Sequence, residues 1–115
     1  MRTEPEKKFD VNFMEEAIEF IDQLEIKAQR KVLYNITKAQ YVNDSNLFKK
    51  LNQNIWEFRT IYNGMCYRLF AFWDDGEYGK RLVVATHGIV KKSSKTPLWE
   101  LQKAEKLRQY YIEQK

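Results

Sequence analysis

The dipeptide Asn63-Gly64 sits between two runs of aromatic and β-branched residues, 55–62 and 65–73. Two-residue Asn-Gly loops take positive φ at both positions, and their twist matches that of paired strands. Such a turn removes the freedom of register, because a slip of one residue would turn every side chain to the wrong face. Tyr62 then faces Met65, Thr60 faces Tyr67, Phe58 faces Leu69 and Trp56 faces Ala71 on one side. The other side pairs Ile61 with Cys66, Arg59 with Arg68 and Glu57 with Phe70. The first set is mostly aromatic or aliphatic and is the expected core face.

The rest of the chain is read outward from this hairpin. Apolar residues recur at three- and four-residue steps through Phe13, Ala17, Ile18, Ile21 and Leu24, and again through Ile26, Val32, Leu33, Ile36 and Ala39. That spacing predicts two helices, and the short link between them an antiparallel helical hairpin. The polar run 42–46 ends the second helix, and residues up to Asn54 are expected to form a loop anchored by Leu47, Phe48 and Leu51. Residues 81–87 (RLVVATH) read as a third strand. Thr96 and Pro97 open a last helix as N-cap and first-turn proline, with Leu98, Leu101, Ala104, Leu107 and Tyr111 on one face. Residues 1–8 are polar and expected to fray. The order predicts one α+β domain over 1–115, with an N-terminal helical hairpin, an antiparallel sheet, a C-terminal helix, and the helices against one face of the sheet.

With 43% apolar and 15% aromatic residues among 115, a core can form without covalent staples. The net charge of +4 supports only weak attraction to polyanions. Cys66 is the one cysteine, which excludes an internal disulfide, and no Cys/His spacing suggests a metal site. No metal or cofactor is expected. Residues 1–10 are charged, without the apolar core of a signal peptide, and no run approaches the roughly 18 apolar residues of a membrane helix. The expected setting is the reducing cytoplasm, away from membranes.

Function is sought where charge conflicts with structure. Arg59 and Arg68 stand directly opposite each other, and like charges in that position repel. Either Glu57, two residues from Arg59, relieves the conflict, or the pair awaits an anion, since guanidinium forks match phosphate geometry. From Gly79 to Lys95 there are five cations and no carboxylate: Lys80, Arg81, Lys91, Lys92 and Lys95. An isolated Lys-Lys-x-x-Lys is usually a solvated loop, but here it precedes a helix N-terminus, which also favours anions. His87 is the only histidine and a candidate acid or base, although a strand-end histidine is more often structural. Tyr110 is a candidate for stacking on a base. Trp56, Trp73 and Trp99 read as core or interface residues, and Cys66 as a buried, inert thiol.

These residues carry a resemblance. Ile55-Trp56-Glu57-Phe58-Arg59 is similar to a "LWELR" strand, Cys66-Tyr67-Arg68-Leu69-Phe70 to a "YRI(F/L)" strand, and residues 87–97 (HGIVKKSSKTP) to "HGFxKKTxKTP". Together they resemble the RelE/ParE superfamily of toxins, in the phage-derived HigB-like branch, over roughly residues 13–112. The resemblance implies a sheet of three or four strands, its usual long first strand missing or reduced to 8–11. It implies a toxin paired with an antitoxin, commonly a helix-turn-helix protein, that enters the ribosomal A site and cleaves mRNA as a metal-independent endoribonuclease. The family's basic residues map onto Arg59, Arg68, Lys91, Lys92 and Lys95. In that reading Arg59 and Arg68 hold the scissile phosphate, Lys91 or Lys92 acts as base, and His87 or a C-terminal tyrosine as acid; Lys95, Lys80, Arg81 and Tyr110 bind RNA. Two alternatives stay open: a ParE-like toxin of the same fold that poisons DNA gyrase, and a nucleic-acid-binding module without chemistry.

Overall fold

The computed structural model describes residues 5–74, 81–93 and 95–115. Its elements run β1 (Asp10–Phe13), α1 (Glu15–Asp22), α2 (Ile26–Ala39), β2 (Phe48–Lys50), β3 (Trp56–Tyr62), β4 (Met65–Asp74), β5 (Leu82–Lys91) and α3 (Leu98–Glu113). The five strands form one sheet in the order β1-β5-β4-β3-β2. β1 pairs with β5 in parallel, and the other neighbours are antiparallel. The class is α+β, but the sheet is five-stranded and mixed, not an antiparallel sheet of three or four strands. β1 arises where a helix was expected to begin: Phe13 belongs to the strand, and α1 starts two residues later. β2 lies in the segment read as a loop, where Phe48 stacks on Phe58 and Trp56 at centroid distances of 4.4 and 4.9 Å.

The β3–β4 register follows from the turn. Asn63 and Gly64 have φ of 51° and 77°, both positive as the tight hairpin requires. Trp56 faces Ala71, Phe58 faces Leu69, Arg59 faces Arg68 and Tyr62 faces Met65.

The helices cover both faces of the sheet, which corrects the expectation of one. Ala17 and Ile21 of α1, with Val32, Ile36 and Ala39 of α2, pack on Phe58, Leu69, Ala71, Val83 and Ala85. α3 lies on the opposite face, where Ala104 and Leu101 meet Ile55, Phe70, Phe72 and Val84. β4 and β5 sit between these layers, so Leu69, Phe70, Ala71 and Phe72, and Val83, Val84 and Ala85, are buried as unbroken runs. Continuous apolar strands signal burial on both faces. Leu98 was expected on the buried stripe of α3 but is 68% exposed, and polar Glu100 is buried instead. Thr96 does not cap α3: Pro97 holds the N-cap position, and the Thr96 hydroxyl is used elsewhere. Trp56 and Trp73 pack edge to face at 5.9 Å, whereas Trp99 stands 60% exposed. No described helix is long and apolar enough to cross a membrane.

Two glycines make contrasting demands. A Cβ at Gly64 would meet open space, so substitution there costs only backbone strain at positive φ. A Cβ at Gly88 would run into the ring of Phe20, which α1 lays against β5. Gly88→Ala should therefore destabilise by about 1–3 kcal/mol through overpacking, and Gly64→Ala by about 1 kcal/mol. Urea unfolding midpoints of the two variants check both values.

Candidate functional site on the sheet face under the third helix

Strand pairing lays out rows across the face that carries α3. One row is Ile61–Cys66–Lys91, the next Arg59–Arg68–Ile89, and the third Glu57–Phe70–His87. The sheet thus places Arg59, Arg68 and Lys91 on one face, and Lys92 and Lys95, both exposed, precede α3 in the chain.

The two arginines, although paired, have different surroundings. Arg68 is 1% exposed, and its Nη1 donates to Glu57 Oε1 and, at 2.8 Å, to Thr96 Oγ1. Glu57 is itself fully buried. For Arg68, therefore, the conflict is relieved by Glu57, and the guanidinium ties the sheet to the start of α3. Arg59 is half-buried, its Nε is buried without a hydrogen-bond partner, and its side chain makes no ion pair among the described residues. Glu57 Oε2 is likewise buried without a hydrogen-bond partner. With Arg68 matched to Glu57, Arg59 is the cation of the pair that has no ion pair among the described residues.

His87 reaches this face through a β-bulge. Phe70 pairs with His87 but Ala71 pairs with Ala85, which leaves Thr86 as the extra residue. Simple alternation would put His87 on the side of Ala85; the bulge turns it toward α3, as bulges re-aim side chains. Its ring stacks on Phe70 at 4.9 Å, with Nε2 3.1 Å from Glu100 Oε1 and Nδ1 3.0 Å from Thr86 Oγ1. Burial holds its pKa below the usual 6.5, against the raising effect of Glu100, so the ring is neutral at pH 7. The single N–H of the neutral ring then serves the Glu100 carboxylate, and Thr86 shares its one O–H between Nδ1 at 3.0 Å and the Phe70 carbonyl at 3.3 Å. At 2% exposure His87 is a pin between β5 and α3, closed to an exchanging substrate.

Other candidates lie away from this cluster. Lys80 falls outside the described residues. Arg81 caps the Trp73 ring at 4.7 Å, at the far end of β5 and roughly 30 Å from Lys91 by strand rise. Tyr110 is 57% exposed but about 16 Å along α3 from Trp99. Tyr111 packs edge to face on Phe72 and donates to Asp74 Oδ2 at 2.6 Å. Desolvation and that carboxylate push its pKa up to about 12, which suits a structural donor rather than an acid near neutrality. Cys66 is buried. No group of three or more possible metal ligands occurs among the described residues. A groove of about 660 Å³ between β1 and α2, lined by Val11, Phe13, Leu33 and Ile36, contains none of the candidates.

The sheet face of this α+β domain thus carries an arginine with no ion pair among the described residues, beside a basic strand end. Residues 19–109 match the family described as Phage derived protein Gp49-like (DUF891), and the chain belongs to it. It is a family of RelE/HigB-like toxins of toxin–antitoxin systems. No match is found among curated proteins.

Two outcomes follow from the buried polar groups. Arg68→Ala strands Glu57 as a buried charge and should cost about 3–5 kcal/mol of stability, read by urea unfolding. Because the His87 pKa is lower folded than unfolded, the unfolded chain binds the extra proton as pH falls below about 6.5. The contribution of this group to stability should be full above that pH and decline below it, by at most about 1.4 kcal/mol per pH unit. His87→Gln should flatten that slope when unfolding is followed from pH 8 to 5.

Proposed function

We propose that this protein is the toxin of a toxin–antitoxin pair and acts in the cytoplasm as a ribosome-dependent mRNA endoribonuclease that needs no metal. The observation that carries the reading is Arg59, half-buried beside a second arginine and without a counter-ion among the described residues. A guanidinium in that state is matched to a phosphate, and Lys91 at the end of β5, with Lys92 and Lys95 after it, adds positive charge to this end of the sheet. Membership of the Gp49-like family supports the toxin assignment and an antitoxin as partner.

Metal-independent cleavage of RNA uses the ribose 2′-hydroxyl as nucleophile on the adjacent phosphate. A base removes its proton, a fixed cation stabilises the charge growing on the phosphate oxygens, and an acid protonates the leaving 5′-oxygen. Arg59 supplies the fixed cation, and Lys91 or Lys92 is the base. Arg68 and His87, being buried, act by position: Arg68 holds Thr96 and His87 holds Glu100, which fixes the start of α3 on the sheet face that carries Arg59. With so few reacting groups, orientation of the mRNA by the ribosomal A site supplies much of the rate.

The test is induction of the chain in a bacterial host with primer extension on a reporter mRNA. Cuts within translated codons should appear with the native chain and vanish with Arg59→Ala or Lys91→Ala, while both variants unfold within about 1 kcal/mol of the native protein. Growth arrest with intact mRNA and a DNA-damage response would overturn the nuclease reading in favour of gyrase poisoning.

A further inference from the structure

We propose that Trp99 is a stacking platform for an unpaired base of the RNA strand whose phosphate Arg59 holds; this deepens the function proposed above and rests on it. Trp99 lies in the first turn of α3, directly before the buried Glu100. The inward stripe of the helix runs through Glu100, Leu101 and Ala104, which leaves the indole outside it and 60% exposed. Trp56 and Trp73 are spent on packing with Phe9 and Phe48, so exposure is not the general condition of tryptophan in this chain.

The surroundings indicate what the ring meets. The Lys91 ammonium lies over one face of the ring, 5.9 Å from its centroid, so a base takes the opposite face or displaces the lysine. By strand spacing and rise, Lys91 is roughly 12 Å across the sheet from Arg59, two strands over and one row on. Beyond the ring the same open face of α3 continues through Gln102, Lys103 and Lys106. Glu16 engages Lys103 at 2.8 Å, whereas Lys91 and Lys106 make no ion pair among the described residues. An aromatic face set between cations on an open surface is the arrangement that single strands use, bases stacking while phosphates are neutralised. A protein-binding patch would instead match its exposed Trp99 and Leu98 with apolar rather than cationic neighbours.

The experiment titrates the full chain at low salt with a 2′-O-methyl RNA hexanucleotide, which cannot be cut, and with an abasic strand of equal charge, following tryptophan fluorescence. The hexanucleotide should quench the native protein. Trp99→Phe should lose the quench and keep most of the affinity, and Trp99→Ala should lose both, the affinity falling on the order of tenfold. The abasic strand should bind the native chain and Trp99→Ala alike. Circular dichroism of the variants verifies the fold. Native-like hexanucleotide affinity in Trp99→Ala, or equal quenching by both strands, would overturn the platform and leave the phosphate reading standing. Absence of salt-dependent binding of either strand by the native chain would overturn both. Loss of antitoxin binding in Trp99→Ala with RNA binding intact would assign the indole to a protein partner instead.

Discussion

The guanidinium of Arg68 is taken out of water between the sheet and α3, a transfer that costs several kcal/mol per ion unless charge and hydrogen bonds replace the lost solvent. Much of the architecture of this face follows from that requirement. Glu57 has to be buried beside it, and strand alternation puts Glu57 and Arg68 on the same side, in adjacent rows. Thr96 has to give up its ordinary place as a helix cap and accept from Nη1. The start of α3 is thereby tied to the middle of the hairpin through Thr96. Arg59 cannot share Glu57 on equal terms, so the like-charge pair resolves into one structural and one available arginine.

A second polar pin works beside the first. The apolar contact of α3 with the sheet centres on Ala104, Leu101 and Tyr111, a modest surface for a helix of 16 residues. The His87–Glu100 bond adds orientation where apolar packing is thin. Both pins act on the first turn of the helix, next to the lysines and Trp99. The geometry of this end of α3 therefore depends on two buried pairs, Arg68 with Glu57 and Thr96, and His87 with Glu100.

Much of the fold is legible in the chain because local chemistry specifies it. Asn63-Gly64 dictates the hairpin register, and with it the opposition of Arg59 and Arg68 and the shared face of Glu57. The period of Val32, Ile36 and Ala39 marks the inner side of α2. β2 is not legible, since three residues, Phe48, Lys49 and Lys50, carry no period that separates a strand from a loop. Nor is β1, whose parallel pairing with β5 joins segments some 70 residues apart in sequence and is settled by long-range packing. The unbroken apolar runs of β4 and β5 carry the mark of burial on both faces, which the expectation of helices on one face passed over.

The candidate site divides along the same line. By itself the sequence determined which cations exist, that two of them collide across a hairpin, and that a basic segment leads into the last helix. Only the tertiary structure decided which arginine is neutralised, because burial by α3 is what makes Glu57 and Thr96 bind Arg68. It also decided that His87 faces inward, since the extra residue Thr86 reverses an alternation that the bare sequence would project forward. Arg81 and Tyr110 are separated from Lys91 and Trp99 by the length of a strand and a helix, distances that charge counting along the chain does not contain. Trp99 is left in water for the same reason: a helix can turn only one stripe to the sheet, and the polar pin at Glu100 chose which one.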